Sequence, residues 1–243
     1  MHSRESRPMT DPHQLRIASY NIRKALGTDR RRDPQRIMRV IAAMEADVVA
    51  LQEADLRLPP RRPVFVAAEL VERTGLMPVA LDHDGPGLGW HGNILLARSD
   101  IEVIGSRRHD LPGLEPRGAV SAVLSRGGLR WRVLGAHLGL LRHSRRRQLS
   151  ALMEQLAEVD PLPTVMLGDF NERSGVVGLG RLARHLRILP SGPTWHSRHP
   201  LFALDRIAVS TDITDARTLV WQSPEARRAS DHLPLIVDLA LPR

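Results

Sequence analysis

Short apolar runs, bounded by polar or turn-forming residues, recur along the chain in a pattern typical of β-strands. The predicted strands are residues 15–21, 47–52, 77–81, 93–97, 101–107, 119–124, 129–136, 164–167, 204–209 and 233–239. Residues 125–128 read Ser-Arg-Gly-Gly and predict a hairpin between two of these strands.

Helical spacing of apolar residues appears in stretches between the strands. Asp33 and Pro34 predict the start of one helix, because aspartate caps helices well and proline suits the first turn. Residues 64–74 and 144–159 predict two more. The arginines at 145–147 in the last of these are expected on a solvated face. Many strands with few helices favour two stacked sheets flanked by helices over a doubly wound sheet.

Length and composition favour one globular domain. The chain has 243 residues and 42% hydrophobic content, which is enough for a large core. We expect a single domain over residues 15–243, preceded by a polar, disordered tail over residues 1–14. The absence of cysteine excludes thiol catalysis, thiolate zinc sites and disulfides.

Charge and hydropathy constrain the cellular location and the partners of the protein less firmly than length and composition constrain its domain organisation. No apolar run approaches the roughly 18–20 residues of a membrane span, and residues 1–14 lack the apolar core of a secretory signal. These features predict a cytoplasmic protein, and no obligate protein partner is evident. The net charge of +8 favours an anionic substrate only weakly, because Lys24 is the sole lysine and such an arginine bias can reflect GC-rich coding.

Residues capable of catalysis recur where predicted strands begin or end. They are Asn21, Glu53, His137, Asp169, Asn171, Asp205, Asp231 and His232. Ligands of α/β proteins gather beyond strand ends, so one site could collect all of them. Oxygen ligands with few histidines suit magnesium better than zinc.

Several motifs containing these residues resemble those of the endonuclease/exonuclease/phosphatase superfamily, in the same order. The motifs are Ser19-Tyr20-Asn21-Ile22, Leu51-Gln52-Glu53, Gly92-Asn93-Ile94-Leu95-Leu96, Ala136-His137-Leu138, Gly168-Asp169-Phe170-Asn171, Leu204-Asp205-Arg206-Ile207 and Ser230-Asp231-His232-Leu233-Pro234. Each motif alone is weak, but the ordered set spans nearly the whole chain. The resemblance implies a four-layer α/β/β/α sandwich of two mixed sheets flanked by helices.

The resemblance also implies a metal site and a hydrolytic reaction. Glu53 would bind Mg²⁺, for which Mn²⁺ could substitute, with Asn21 and Asp231 helping directly or through water. Asp169 would orient or deprotonate the attacking water, and Asn171 would hold the water or a phosphate oxygen.

The remaining implied roles concern the phosphate. His232 would contact the scissile phosphate while Asp205 fixes its ring. His137 would donate to the phosphate or assist the leaving group. Arg117 resembles a phosphate-contacting arginine of the deoxyribonuclease branch, and Asn93 is either a substrate contact or a loop brace.

The substrate is less constrained than the reaction. Arg23, two positions after Asn21, and His137 both differ from apurinic-type endonucleases, which carry an acidic residue and a tyrosine there. They place the chain nearer the deoxyribonuclease, sphingomyelinase and phosphatase branches. The expected activity is a phosphodiesterase on nucleic acid such as DNA. A phospholipid or inositol/nucleotide phosphate hydrolase is the first alternative, and an inactive phosphate-binding module is the second.

Overall fold

The computed structural model describes residues 11–56, 61–82, 87–113, 115–174 and 177–242. Of the tail predicted over residues 1–14, residues 1–10 lie outside the described residues. Gln14 belongs to the first strand.

The strands and helices follow each other in a mixed order. The strands are β1 (Gln14–Asn21), β2 (Val48–Gln52), β3 (Leu76–Pro78), β4 (Ile94–Arg98), β5 (Glu102–Leu111), β6 (Arg117–Arg126), β7 (Leu129–His137), β8 (Thr164–Asp169), β9 (Arg187–Ile188), β10 (Asp205–Val209), β11 (Ala216–Val220) and β12 (Leu235–Ala240). The helices are α1 (Pro34–Met44), α2 (Ala67–Thr74), α3 (Arg142–Ala157) and α4 (Pro224–Ala229), and Arg23–Ala25 form a short 3-10 turn.

Two local predictions are confirmed by their hydrogen bonds and backbone angles. The Asp33 carboxylate accepts a hydrogen bond from the backbone N–H of Arg36 at 2.9 Å and caps α1, with Pro34 in the first turn. Gly127 and Gly128 join β6 to β7 with φ of 59° and 83°, and a two-residue turn of this kind favours glycine.

The described strands form two mixed six-stranded sheets. Their orders are β11-β12-β1-β2-β4-β3 and β5-β6-β7-β8-β10-β9. Apolar residues of both sheets, including Ile17, Val133 and Ile207, share one core cluster, so the sheets pack face to face. A second cluster lies between the first sheet and α1, α2 and α4, and a third lies between the other sheet and α3. The predicted α/β/β/α sandwich is thus confirmed.

The sequence pattern missed β9, β11 and α4. β11 alternates half-buried and exposed positions at a sheet edge, so its sequence has no continuous apolar run. β12 begins at Leu235 rather than at residue 233, because Pro234 has no N–H to donate to a sheet. Within the described residues, no helix is long and apolar enough to cross a bilayer.

Candidate active site

The strand ends meet along one edge of the two stacked sheets. In the first sheet, β1 and β2 run parallel with Asn21 opposite Gln52, which places Glu53 just beyond. In the second, β7 and β8 run parallel with His137 opposite Asp169. β10 runs antiparallel and starts at Asp205, directly opposite Asp169. Parallel neighbours with matched ends therefore bring together residues far apart in the sequence.

Asp169 lies at the centre of this group. Its Oδ2 is 3.5 Å from Nε2 of His137 and 3.7 Å from Nε2 of His232. The amide Nδ2 of Asn21 donates to the same oxygen at 2.9 Å, and the backbone N–H of Asn171 donates to Oδ1 at 3.0 Å. The carboxylate is thus fixed by two hydrogen bonds while it faces two imidazoles.

The electrostatics of this centre are strongly perturbed. Burial and the nearby charge of Asp205 raise the pKa of Asp169 to about 6, although His232 and Asn21 oppose the rise. Burial alone would lower the pKa of His232, but the charges of Asp205 and Asp169 and the Asp205 hydrogen bond raise it to about 10. His232 is therefore an imidazolium at neutral pH beside a carboxylate of unusual basicity, as general acid–base chemistry requires.

Asp205 fixes the ring of His232. Its Oδ2 is 2.8 Å from Nδ1 of His232, and it also accepts a hydrogen bond from Oγ1 of Thr194 at 2.5 Å. Asp205 is fully buried. Its partners are these interior groups and not the surface arginines that a superficial ion pair would use. Nε2 of His232 is left pointing toward Asp169.

The last residues of β8 and the turn after it have a backbone that few other residues could adopt. A Cβ on Gly168 would lie 1.8 Å from the carbonyl oxygen of Ala136, and the φ of Gly168 is 150°. Asn171 has a φ of 51°, and its Nδ2 donates to the carbonyl of Leu138 at 2.9 Å. The asparagine thus ties the turn that carries Asp169 to the loop that follows His137.

Arg117 contacts His137, and its predicted contact with a phosphate stays a prediction. Its Nη1 is 2.8 Å from Nε2 and 3.0 Å from Nδ1 of that ring, and its Nη2 donates to Glu115 at 2.9 Å. Asn93, by contrast, is fully buried, and its Nδ2 donates to the carbonyl of Gly118 at 2.9 Å. Asn93 thus braces this loop, while its Oδ1 has no hydrogen-bond partner among the described residues and its substrate contact stays a prediction.

Glu53 faces a small cavity beside this centre. The cavity has a volume of about 70 Å³. It is lined by Lys24, Glu53, Asp55, Arg61, His91, Pro116, Arg117 and His137. Burial would raise the pKa of Glu53, but the hydrogen bond and charge of Lys24, helped by Arg117 and His232, hold it below its ordinary value. The carboxylate is therefore ionised at neutral pH.

The donor set fits magnesium through one carboxylate. Among the described residues, no three histidine, aspartate or glutamate side chains converge into a metal cage. Magnesium does not need one, because it keeps several waters and commonly binds through one or two carboxylates and substrate phosphate oxygens. An ionised, partly exposed Glu53 at a cavity wall meets that requirement.

All three predicted ligands have protein partners, and the partner of Glu53 is Lys24, whose Nζ donates to its Oε2. Oδ1 of Asn21 accepts a hydrogen bond from the backbone N–H of Arg23 at 3.1 Å, and its Nδ2 is used by Asp169. Oδ2 of Asp231 lies 3.5 Å from Nε of Arg23. The contact of Asn21 and Asp231 with a metal stays a prediction. Because both side chains already have partners, contact through a bridging water is simpler than direct coordination.

Besides Pro116, four charged or polar residues lining the cavity were not predicted as site residues: Lys24, Asp55, Arg61 and His91. Lys24 is the only lysine of an arginine-rich chain, and Asp55 follows Glu53 by two positions. Those signals could have singled them out. Nothing in the local pattern of Arg61 marks it, because it reaches the cavity through its pairing with Asp55.

Arg145 contradicts the expectation of a solvated arginine face on α3. It is buried, and its Nη2 is 2.8 Å from Oε2 of the buried Glu172. Its Nη1 also donates to the carbonyls of Gly139 and Leu140 at 3.2 and 2.5 Å. One side chain thus braces the loop after His137 against the turn after Asp169. A helical spacing of arginines cannot reveal which of them faces a buried carboxylate.

Comparisons with known proteins identify the family and the fold of the chain. The family model described as "Endonuclease/Exonuclease/phosphatase family" matches residues 18–232. No curated protein matches the chain.

Three solved structures share the fold. An endonuclease/exonuclease/phosphatase family protein from Bacteroides thetaiotaomicron has a TM-score of 0.73 at 19% identity, over 96% of this chain and 100% of that one. A mannosyl-6-phosphatase from the same species has a TM-score of 0.69 at 20% identity, over 93% and 100%. TDP2 of D. rerio, complexed with a single-strand DNA product, has a TM-score of 0.69 at 16% identity, over 93% and 98%.

Proposed function

Because the chain belongs to the endonuclease/exonuclease/phosphatase family, a family of phosphoester hydrolases, we propose that it is a magnesium-dependent phosphodiesterase acting on nucleic acid. The observation that carries the proposal is the Asp169 carboxylate, held by Asn21 and Asn171 between the rings of His137 and His232. A base placed beside two donors is the arrangement that hydrolysis of a phosphoester needs.

The proposed reaction gives each of these residues one role. Asp169 accepts a proton from water, whose oxygen forms a new bond to phosphorus. The ester P–O bond breaks, and the departing oxygen takes a proton from His137. The charged His232 donates a hydrogen bond to a phosphate oxygen as negative charge grows there. Magnesium, when bound at Glu53, supplies further positive charge beside the phosphate.

Nucleic acid is the first choice of substrate for two reasons. The net charge of +8 favours a polyanion. TDP2, which shares the fold, was solved with a single-strand DNA product. The aromatic content of 3% counts mildly against extensive base stacking, so phosphate contacts would dominate binding. We propose the cytoplasm as the place of action.

A small phosphoester is the second candidate, whether a phospholipid head group or an inositol or nucleotide phosphate. The observation that favours it is the aromatic content of 3%, because few side chains are available to stack the bases of a nucleic acid. The mannosyl-6-phosphatase of the same fold is a precedent for a small substrate.

The test compares substrates in magnesium buffer, plasmid DNA against phospholipid vesicles and p-nitrophenyl phosphate, with wild type and Asp169→Asn. Loss of the base should lower kcat by about 10²- to 10⁴-fold, with the far-ultraviolet circular dichroism spectrum unchanged. Asp212→Asn, at an exposed position, is the matched control and should behave as wild type.

Each outcome decides between the candidates. Plasmid nicking that disappears in Asp169→Asn supports the nuclease. Head-group or phosphate release without nicking transfers the proposal to the second candidate. Full turnover in Asp169→Asn contradicts the assignment of the base, and inactivity of the wild type on all three substrates would leave a phosphate-binding module.

A further inference from the structure

The cavity beside Glu53 extends beyond the residues that the reaction uses. Glu53 and His137 act in that reaction and Arg117 contacts His137, but Asp55, Arg61 and His91 have no role in the chemistry proposed above. The reaction therefore leaves an unexplained polar space directly beside its own phosphate position.

The backbone around this space is unusual. Lys24, Glu53, Arg61 and His91 all line it, and all have left-handed φ angles, of 55°, 53°, 46° and 48°. Non-glycine residues rarely adopt this conformation. Such residues cluster where a ligand is clamped, because the surroundings must hold them there against their preference.

Charge and hydrogen-bonding capacity indicate what the space would take. Three cationic side chains, Lys24, Arg61 and Arg117, line it against the two carboxylates of Glu53 and Asp55. Nη1 of Arg61 is 3.3 Å from Oδ2 of Asp55, and among the described residues this long contact leaves the other guanidinium donors for a ligand. Nδ1 of His91 is buried and has no hydrogen-bond partner among the described residues.

Size narrows the ligand further. A volume of about 70 Å³ is far below the roughly 300–1,000 Å³ of pockets that enclose drug-sized molecules. A nucleobase does not fit such a space, whereas one tetrahedral oxyanion does. Arginine is well suited to phosphate because its planar donors bind two oxygens at once.

We propose that Arg61 and His91, with Arg61 positioned by Asp55, form a specificity subsite for a second phosphate group of the substrate, next to the scissile one. The identity of the neighbouring phosphate as scissile rests on the proposed function; the subsite itself does not. The second phosphate is either a terminal phosphomonoester or the next phosphodiester of a chain.

The test measures binding, so that it does not depend on turnover. Thymidine 5′-phosphate and thymidine 3′,5′-bisphosphate are titrated calorimetrically into the full chain in magnesium buffer, in the Asp169→Asn background, which prevents hydrolysis. We expect the bisphosphate to bind about tenfold more tightly, which is the order of one charge-assisted contact. Arg61→Gln and His91→Ala should each reduce that preference, and Arg61→Lys should restore part of it.

Arg62→Gln is the matched control, since Arg62 is the adjacent arginine but is exposed and does not line the cavity. It should keep the preference. Equal binding of both ligands to the parent protein, or an equal preference in Arg61→Gln and Arg62→Gln, overturns the subsite. Thermal unfolding of each variant shows whether a lost preference reflects a lost fold.

A third ligand, the dinucleotide pTpT, separates the two sources of phosphate. Tight binding of the bisphosphate alone indicates recognition of a chain end, whereas tight binding of both indicates recognition of a continuing chain. Either result supports the subsite. A binding preference without hydrolysis by wild type would refute the proposed function and leave the subsite standing.

Discussion

Asp205 shows how a single buried carboxylate controls a neighbouring ring. It is fully buried, and its Oδ2 receives hydrogen bonds from both His232 and Thr194. A buried carboxylate is costly unless it is paired, so the imidazolium and the carboxylate stabilise each other. The residue thus sets the orientation and the charge of His232 from the protein interior.

Replacing Asp205 by asparagine should therefore act on rate more than on binding. The amide keeps the shape of the side chain but removes the charge that holds the ring protonated, so we expect kcat to fall about 100-fold with a smaller change in KM. Steady-state kinetics on bis(p-nitrophenyl) phosphate measure both constants. Asp215→Asn, at an exposed position, serves as control. An unchanged kcat would remove Asp205 from the mechanism.

At the scale of elements, α3 acts as a brace for two catalytic loops. Arg145 joins the loop after β7 to Glu172, in the loop after β8, and Gln148 accepts a hydrogen bond from the backbone N–H of Gly139 at 2.8 Å. Glu172 also lies beside Gly178, where a Cβ would be 2.1 Å from its Oε2. The helix thereby holds the loops that follow His137 and Asp169 in register.

This brace predicts an acid-sensitive contribution to stability. Burial would raise the pKa of Glu172, but hydrogen bonds from Arg145 and Ser174 and the charge of Arg145 hold it below its ordinary 4.5. Because the folded pKa is the lower one, the stabilisation is present above pH 4.5 and is lost as the pH falls through the folded pKa.

Glu172→Gln should accordingly lower the free energy of unfolding by about 1–3 kcal/mol at neutral pH, and the deficit should shrink below pH 4.5. Urea unfolding at a series of pH values measures it. Glu154→Gln, on an exposed position of the same helix, should show no such deficit. A deficit that is constant with pH would mean that packing, and not charge, makes the contribution.

For the molecule as a whole, the open question is whether the net charge of +8 serves binding. Many of the arginines are already paired, as Arg36 is with Asp29 at 2.8 Å and Arg16 with Asp238 at 2.7 Å. Only the arginines that are not paired with carboxylates are available to bind phosphates. Binding to a polyanion through these arginines must weaken with salt, because condensed counterions are released.

Salt dependence therefore tests the nucleic-acid proposal. If at least two DNA phosphates are neutralised, affinity should fall about tenfold or more between 50 and 200 mM NaCl. Fluorescence anisotropy of a labelled duplex with Asp169→Asn measures this without cleavage. Affinity that does not change with salt would show that the arginine excess reflects composition and not substrate binding.

Sequence alone determined the family and the layered fold, and it predicted the residues of the chemistry. Apolar runs mark buried strands because a strand enclosed on both faces must be apolar, and the polar residues at their ends stand out against them. Asn21, Glu53, His137, Asp169, Asn171, Asp205 and His232 were all found in this way, and the structure brings them to one edge.

Tertiary structure alone decided the partners of these residues and the shape of the space between them. Arg145 is buried, Asn93 is a brace and Arg61 reaches the cavity, although nothing in their local patterns says so. The physical reason is that each depends on a carboxylate, a carbonyl or a cavity wall supplied by a distant segment. Edge elements such as β11 were missed for the related reason that a half-exposed strand needs no apolar run.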